Sequence, residues 1–421
     1  MLVVSPPVVS ENVQMRKRLG GIIEPLLTAT VVGVIAGGGA AAFLHSLAWA
    51  TRSREHHQWL LWLLPVAGFA IGLTYHYGAG RSLGGNNLVL DEIHAPNEHL
   101  PRRLAPLILI AAVVTHLFGG SAGREGVALQ VSAGLSDQLT RLRKRSPTDR
   151  RGLLVIAIAA GFGAVFGTPI AGAIFALEVP TRGRLRGGRL LLPCLVSALV
   201  GDRVTRAFGI VHHVNPTFPS FAMTGRHVAQ VAGLAFGCGV VALAFIAAVR
   251  LVKQASSHID WPPLRPVVGG LVIIAMVGLA HSRAYLGLSV PLGSLALAGT
   301  QVGVSMFAWK LGFTAITLGS GFQGGEVTPL FVIGATMAAA VGPHLGLPVG
   351  VAAAIGFVAV FAAASNTPLA CTVLAVELFG GNILPAAAIA CAVATLVSIR
   401  RSIYSAQRST ADLTTSSTSG G

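Results

Sequence analysis

Charge is what this sequence lacks. Only 11% of its 421 residues are Asp, Glu, Lys or Arg, where soluble domains carry roughly 25%. That scarcity excludes an ordinary water-solvated globular surface. Acidic residues are rarer still, 15 against 30 basic ones, so the formal net charge is +15. The excess does not describe a nucleic-acid binder, because the basic residues sit in connectors and not in one soluble patch with interleaved aromatics. Cysteine is almost missing: Cys194, Cys238, Cys371 and Cys391 lie in apolar runs without metal-ligand spacing and read as small core residues. No His-x-x-x-His or His-Glu-x-x-His pair exists, and His94 and His99 flank a polar loop that reads as solvated. No metal or cofactor is therefore expected. An intramembrane enzyme, the reading from a different class, finds no paired aspartates within spans and no nucleophilic Ser or Cys with a histidine in register. The short alternating strands of an outer-membrane barrel are also missing.

What is there is apolar. Hydrophobic residues make up 53% of the chain, and long runs recur at 22–50, 58–78, 104–119, 151–180, 189–201, 228–252, 266–281, 327–342, 347–364 and 382–398. Several exceed one span, so roughly 10–12 crossings plus shorter half-helices are expected. The chain reads as an all-α, multi-pass protein of the cell's inner or plasma membrane. Basic clusters orient it by the positive-inside rule. Met15-Arg-Lys-Arg18 precedes the first span, Arg141-Leu-Arg-Lys-Arg145 with Arg150 and Arg151 forms a connector, and Arg400, Arg401 and Arg408 follow the last span. Both termini are thus expected in the cytoplasm. The first apolar run is too long for a cleaved signal and begins only after the basic cluster.

Inside this apolar chain, Gly119-Gly-Ser-Ala-Gly-Arg-Glu-Gly-Val-Ala-Leu-Gln130 places Arg124 and Glu125 between glycines. A charge at membrane depth costs several kcal/mol unless it has a partner or a task. Glycines ahead of a helical run expose backbone N–H groups, which attract anions together with the helix dipole. A carboxylate at such a helix start competes with the anion and also carries a proton. A helix-packing loop with a buried ion pair is the plainer reading of the same residues.

Repetition organises the rest. Thr168-Pro-Ile-Ala-Gly-Ala-Ile-Phe-Ala-Leu-Glu178 is similar to Thr367-Pro-Leu-Ala-Cys-Thr-Val-Leu-Ala-Val-Glu377. Upstream of each lies a glycine-rich acidic segment, at Gly123-Arg-Glu-Gly-Val127 and Gly324-Gly-Glu-Val327. Both landmarks repeat after roughly 200 residues, as in transporters built from inverted repeats whose broken helices meet at the midplane. The expected halves are 21–208 and 226–407 within a transmembrane unit 21–407, between a cytoplasmic segment 1–20 and a disordered Ser/Thr-rich tail 408–421. Proline after a Gly- or Asn-containing turn starts a helix, and Glu178 and Glu377 read as caps for backbone donors.

These motifs resemble those of the CLC chloride channels and anion–proton exchangers. The resemblance rests on Gly119–Gly126, Phe166–Glu178, Gly319-Ser-Gly-Phe-Gln-Gly-Gly-Glu-Val-Thr-Pro329, Val360-Phe-Ala-Ala-Ala-Ser-Asn-Thr-Pro-Leu369 and Ile403-Tyr-Ser-Ala406, in family order from about residue 20 to 407. It departs at several points. The chloride-coordinating Gly-Ser-Gly-Ile-Pro is replaced by Leu83-Gly-Gly-Asn-Asn-Leu-Val-Leu-Asp-Glu-Ile-His94, Val127 stands for proline, Gly325-Glu-Val-Thr-Pro329 for Gly-Ile-Phe-Ala-Pro, and Val179 for the internal proton-transfer glutamate. Together these are similar to the fluoride–proton antiporter branch.

The resemblance implies a CLC-type inverted repeat, a homodimer with one pathway per subunit, and a proton-coupled exporter of fluoride. It makes Glu125 the gating and proton-carrying glutamate. The implied anion site draws on Gly84, Gly85, Asn86 and Asn87, on Gly123, Arg124, Gly126 and Val127, and on Phe322, Glu326, Val327, Thr328 and Tyr404. Fluoride is small and strongly hydrated, so amide donors of Asn86 and Asn87, the Thr328 hydroxyl and helix N-termini suit it. Asn86-Asn87 reads equally as a capped turn, and Phe322 either offers its positive ring edge or simply packs. Glu326 is expected protonated or paired, because dry surroundings disfavour a lone carboxylate. A chloride–proton exchanger and a passive anion channel on the same fold are the alternatives.

Overall fold

The computed structural model describes residues 11–408, apart from 144–146, 184, 186, 213, 214, 220, 221 and 400. The first ten residues, the tail 409–421, Arg400 and part of the 141–145 basic cluster therefore lie outside the described residues.

In hydrocarbon, backbone polar groups must pair within the protein, so apolar runs fold as helices. Sixteen α-helices occur among the described residues. The first eight are α1 (Glu11–His56), α2 (Leu64–Gly78), α3 (Gly85–His94), α4 (Leu104–Leu117), α5 (Glu125–Arg143), α6 (Pro147–Phe166), α7 (Pro169–Glu178) and α8 (Leu191–Ala207). The rest are α9 (Gly225–Ser257), α10 (Arg265–Ala280), α11 (Val290–Leu297), α12 (Ser305–Gly319), α13 (Val327–Val341), α14 (Val349–Ser365), α15 (Pro368–Phe379) and α16 (Leu384–Ser398). Six helical stretches are long and apolar enough to cross a bilayer: Ile23–His56, Gln58–Gly78, Gly225–Ser257, Pro262–Ala280, Val327–Leu345 and Gly381–Ser398. Shorter ones lie between them.

Helix α1 runs from Glu11 through residue 20 to His56. The apolar run 151–180 is two helices, because Gly167 adopts a φ of 72° and Thr168-Pro169 starts α7 afresh. The second half repeats this device: Asn366, at a φ of 54°, ends α14, and Thr367-Pro368 starts α15. Left-handed backbone suits Gly and Asn, and Pro at the first helical position forgoes an N–H that has no partner there.

Helices α7 and α15 pack antiparallel, each capped by the other's glutamate. The Leu369 and Ala370 amides donate to the Glu178 carboxylate at 3.0 and 2.7 Å. The Ile170 and Ala171 amides donate to the Glu377 carboxylate at the same two distances. Both glutamates thus satisfy helix-end donors that lack intrahelical partners. Elsewhere, small residues set helix spacing, as in membrane bundles generally. A Cβ on Gly334 would lie 2.1 Å from the Gly356 carbonyl oxygen, and one on Gly356 would lie 2.2 Å from that of Gly334, so α13 and α14 touch backbone to backbone.

Glu178→Ala is expected to destabilise the protein by about 2–4 kcal/mol, because the buried Ala370 amide loses its acceptor at about 1–3 kcal/mol and the partly buried Leu369 amide at about 1 kcal/mol. A thermal unfolding curve in detergent measures it, and an unchanged midpoint would show that the cap contributes nothing.

Candidate functional site

The two glycine-rich segments meet. Gly123 and Gly325 form an antiparallel bridge, with N–H···O distances of 2.6 and 2.9 Å in the two directions. The bridge sets the N-termini of α5 and α13 side by side. A Cβ on Gly325 would lie 2.9 Å from the Gly126 nitrogen, so no other residue fits this approach.

Glu125 opens α5 but its carboxylate serves the neighbouring helix. The Thr328 amide donates to it at 3.0 Å, the Thr328 hydroxyl donates to its other oxygen, and the Arg124 amide and Nε donate at 3.2 and 3.3 Å. Only 1% of the residue is exposed. The carboxylate therefore fills the positive N-terminal end of α13, a position that attracts any anion.

Beside it, three buried polar atoms have no hydrogen-bond partner: Asn86 Oδ1, Glu326 Oε2 and the Tyr404 hydroxyl. Such groups are uncommon in folded proteins. A Cβ on Gly126 would come 2.8 Å from Asn86 Nδ2 and 3.4 Å from Glu326 Oε2, so Asn86 and Glu326 converge over the first turn of α5. Tyr404 and both asparagines, with Gly84, Gly85, Phe322 and Glu326, line a cavity of about 650 Å³ whose wall also includes Arg250, Lys253 and Arg265.

Other site candidates divide differently. Asn87 lines the cavity, but its Oδ1 accepts from the Ala406 amide at 3.0 Å and so ties down the segment carrying Tyr404. The Val127 side chain packs with Phe43, Leu47 and Val131, and Val327 packs in the main core, which leaves both to contribute backbone. The Phe322 ring both faces the cavity and packs beside Gly68 and Gly269. Val179 lines a small apolar void with Val89, Leu90 and Phe175. His99 is not simply solvated, since its Nδ1 meets Thr140 Oγ1 at 3.1 Å.

Three contributors were missed in the sequence. Gln130 lines the cavity and its Nε2 donates to the Gly126 carbonyl at 3.2 Å. It lies four residues after Gly126, and that spacing was the available signal. Arg150 was read only as a topology marker. It joins α3 to α5 by bonds to Glu92 at 2.8 Å and Asp137 at 2.7 Å, and Arg81 holds Glu92 at 2.5 Å. This cluster anchors the helix whose first turn carries Asn86. Lys310, buried in α12, is the third.

Comparison with known proteins agrees with this geometry. Residues 67–399 match the family model for voltage-gated chloride channels. The chain belongs to the CLC family. It is 46% identical over 398 residues to a chloride/fluoride channel protein of Pseudomonas syringae pv. tomato, covering 92% of this chain and 87% of that one. It is 27% identical to an H(+)/Cl(-) exchange transporter of Yersinia pestis, over 84% of this chain and 80% of that one. Among solved structures, a CLC-type fluoride/proton antiporter superposes with a TM-score of 0.89 at 32% identity, covering 92% of this chain and 98% of that one. A slow cyanobacterial Cl-/H+ antiporter shares the fold at a TM-score of 0.77 and 19% identity. The CLC protein described here is thus a multi-pass, all-α anion transporter.

Gly126→Ala is expected to push Asn86 aside and to lower stability by about 1–3 kcal/mol, the usual cost of overpacking. Thermal unfolding reads the stability. A variant matching wild type would show that Asn86 does not need this space.

Proposed function

We propose that this CLC protein exports fluoride in exchange for inward protons, with Glu125 as both gate and proton carrier. The observation that supports it is the seat of the Glu125 carboxylate on the N-terminus of α13. An ionised Glu125 there excludes an anion. A protonated Glu125 loses its attraction to the helix end and leaves with its proton, so anion and carboxylate occupancy alternate. The alternation couples the two fluxes.

Fluoride is favoured by the polar groups beside the gate. A small, strongly hydrated ion needs several donors in place of water, and the Asn86 amide, the Thr328 hydroxyl and the helix-end amides supply them. The likeness to a fluoride/proton antiporter supports the same reading. Physically the exchange is useful, because hydrogen fluoride crosses membranes as a neutral acid and ionises inside, where the anion is trapped. The reading includes cytoplasmic termini, from the basic clusters, and a homodimer with one pathway per subunit. The domain halves 21–208 and 226–407 belong to it too, supported by the paired glutamate caps and the Gly123–Gly325 bridge.

The test is simultaneous recording of fluoride efflux and proton uptake in liposomes. Fluoride flux without protons would make the protein a passive channel, and chloride leaving as fast as fluoride would make it a chloride–proton exchanger. In the same vesicles Glu125→Gln is expected to abolish uphill proton movement, since a neutral amide cannot cycle. Uphill pumping by that variant would remove Glu125 from its role.

Asn86→Ala is expected to weaken fluoride transport more than Tyr404→Phe, because a hydrogen bond to a desolvated anion contributes about 1.5–3 kcal/mol, or roughly 10- to 150-fold. Initial efflux rates across a fluoride series measure both variants, and wild-type rates in Asn86→Ala would take that residue out of the site.

A further inference from the structure

We propose that Lys310 is a positioning residue for the gate: its buried Nζ fixes the loop from which Glu125 springs. Lys310 is fully buried, yet no part of the anion pathway described above uses it. Its Nζ donates to three oxygens: Ser121 Oγ at 2.8 Å, the Gly287 carbonyl at 2.7 Å and the Tyr285 carbonyl at 3.2 Å. All three partners are buried with it, so moving any one of them leaves a polar group unpaired in a dry interior.

The loop needs such a hold. Residues 119–123 read Gly-Gly-Ser-Ala-Gly, a sequence with little conformational preference of its own. Lys310, Thr314 and Thr317 share one face of α12 at helical spacing, and all three meet this loop. Thr314 Oγ1 lies 2.9 Å from Ser121 Oγ, and Thr317 Oγ1 accepts from the Ser121 amide at 3.0 Å. From the other side, His116 Nε2 lies 3.0 Å from the Ala122 carbonyl oxygen. The 285–287 segment is drawn into the same knot, because the Gly287 amide donates to the Gly120 carbonyl at 3.2 Å. One Nζ therefore joins α12, the 119–123 loop and the segment before α11. Two residues beyond Ser121 the Gly123–Gly325 bridge begins, and two beyond that stands Glu125.

The consequence rests on the reading of Glu125 as the gate. For a single carboxylate to swing away while the helix-end amides stay in place, the backbone on either side of it must not follow. Lys310 supplies that fixed point. Without it the loop moves with the side chain, and an anion and a proton no longer exclude each other.

The experiment has two arms. Hydrogen–deuterium exchange on the full-length protein in micelles follows the peptides that cover 117–126 and 283–290. Lys310→Met is expected to speed exchange by about tenfold at 117–126, which loses one net hydrogen bond, and by more at 283–290, which loses two, while α14 stays as slow as in wild type. Should Lys310→Met not fold, Ser121→Ala removes one arm of the knot with a minimal change, and faster exchange confined to 117–126 is expected. Exchange at wild-type rates in the folded variant overturns the proposal. In liposomes, Lys310→Met is expected to keep the fluoride KM while its turnover and its protons moved per fluoride both fall, and Lys310→Arg to recover the ratio. A variant with an unaltered ratio per active molecule would reduce Lys310 to a stabilising residue and overturn the proposal. If wild type itself moves no fluoride, the proposed function falls, and the exchange arm still decides whether Lys310 holds the loop.

Discussion

Hydrocarbon offers no hydrogen bonds, so every charge and every bare helix end inside the bilayer must find its partner in the protein. Much of this structure follows from that constraint. Helices that stop at membrane depth leave amides exposed at their N-termini. Three such ends, those of α7, α13 and α15, are met by the carboxylates of Glu377, Glu125 and Glu178. Three of the chain's 15 acidic residues thus stand where a helix end needs negative charge.

The three caps are not equivalent. Glu178 and Glu377 each accept from two successive backbone amides. Both of their oxygens are spoken for by groups that cannot turn away, and such a seat suits permanent architecture. Glu125 accepts one helix-end amide and one hydroxyl, that of Thr328, together with weaker bonds from its neighbour Arg124. A hydroxyl can rotate and offer its proton to another acceptor. The seat at α13 is thus the one of the three that another anion could take over with little rearrangement of backbone.

What the sequence made legible were the breaks. Glycines and prolines punctuate a helical chain for local reasons, so Gly167-Thr168-Pro169, Asn366-Thr367-Pro368 and the two Gly-rich acidic segments could be read as helix ends before any tertiary contact was known. Their repetition pointed to paired halves, and Gly123 and Gly325 do pair. Side-chain direction was the part that could not be read. Asn86 and Asn87 are adjacent and identical, yet one keeps an unpartnered oxygen beside Glu326 while the other bonds the Ala406 amide far along the chain. Nothing local distinguishes them. Lys310 was hidden differently: the same cost of intramembrane charge that drew attention to Arg124 applies to it, but its partners are carbonyls and a hydroxyl drawn from distant segments.

The glutamates at the Gly123–Gly325 bridge finally show how near-symmetry yields a site. Glu125 opens α5 and Glu326 immediately precedes α13, each following its bridging glycine closely. Perfect symmetry would have each cap the other's helix, as Glu178 and Glu377 do. Only one does so. Glu125 reaches across to Thr328, while Glu326 Oε2 sits unpartnered near Gly126 and Asn86. A fully reciprocal pair would satisfy both helix ends and leave nothing for an ion to bind. Here that second cap is unmade, and Glu326 keeps an oxygen without a partner. The outer caps hold the halves together because their symmetry is complete, and the central one is suited to exchange because its symmetry is broken.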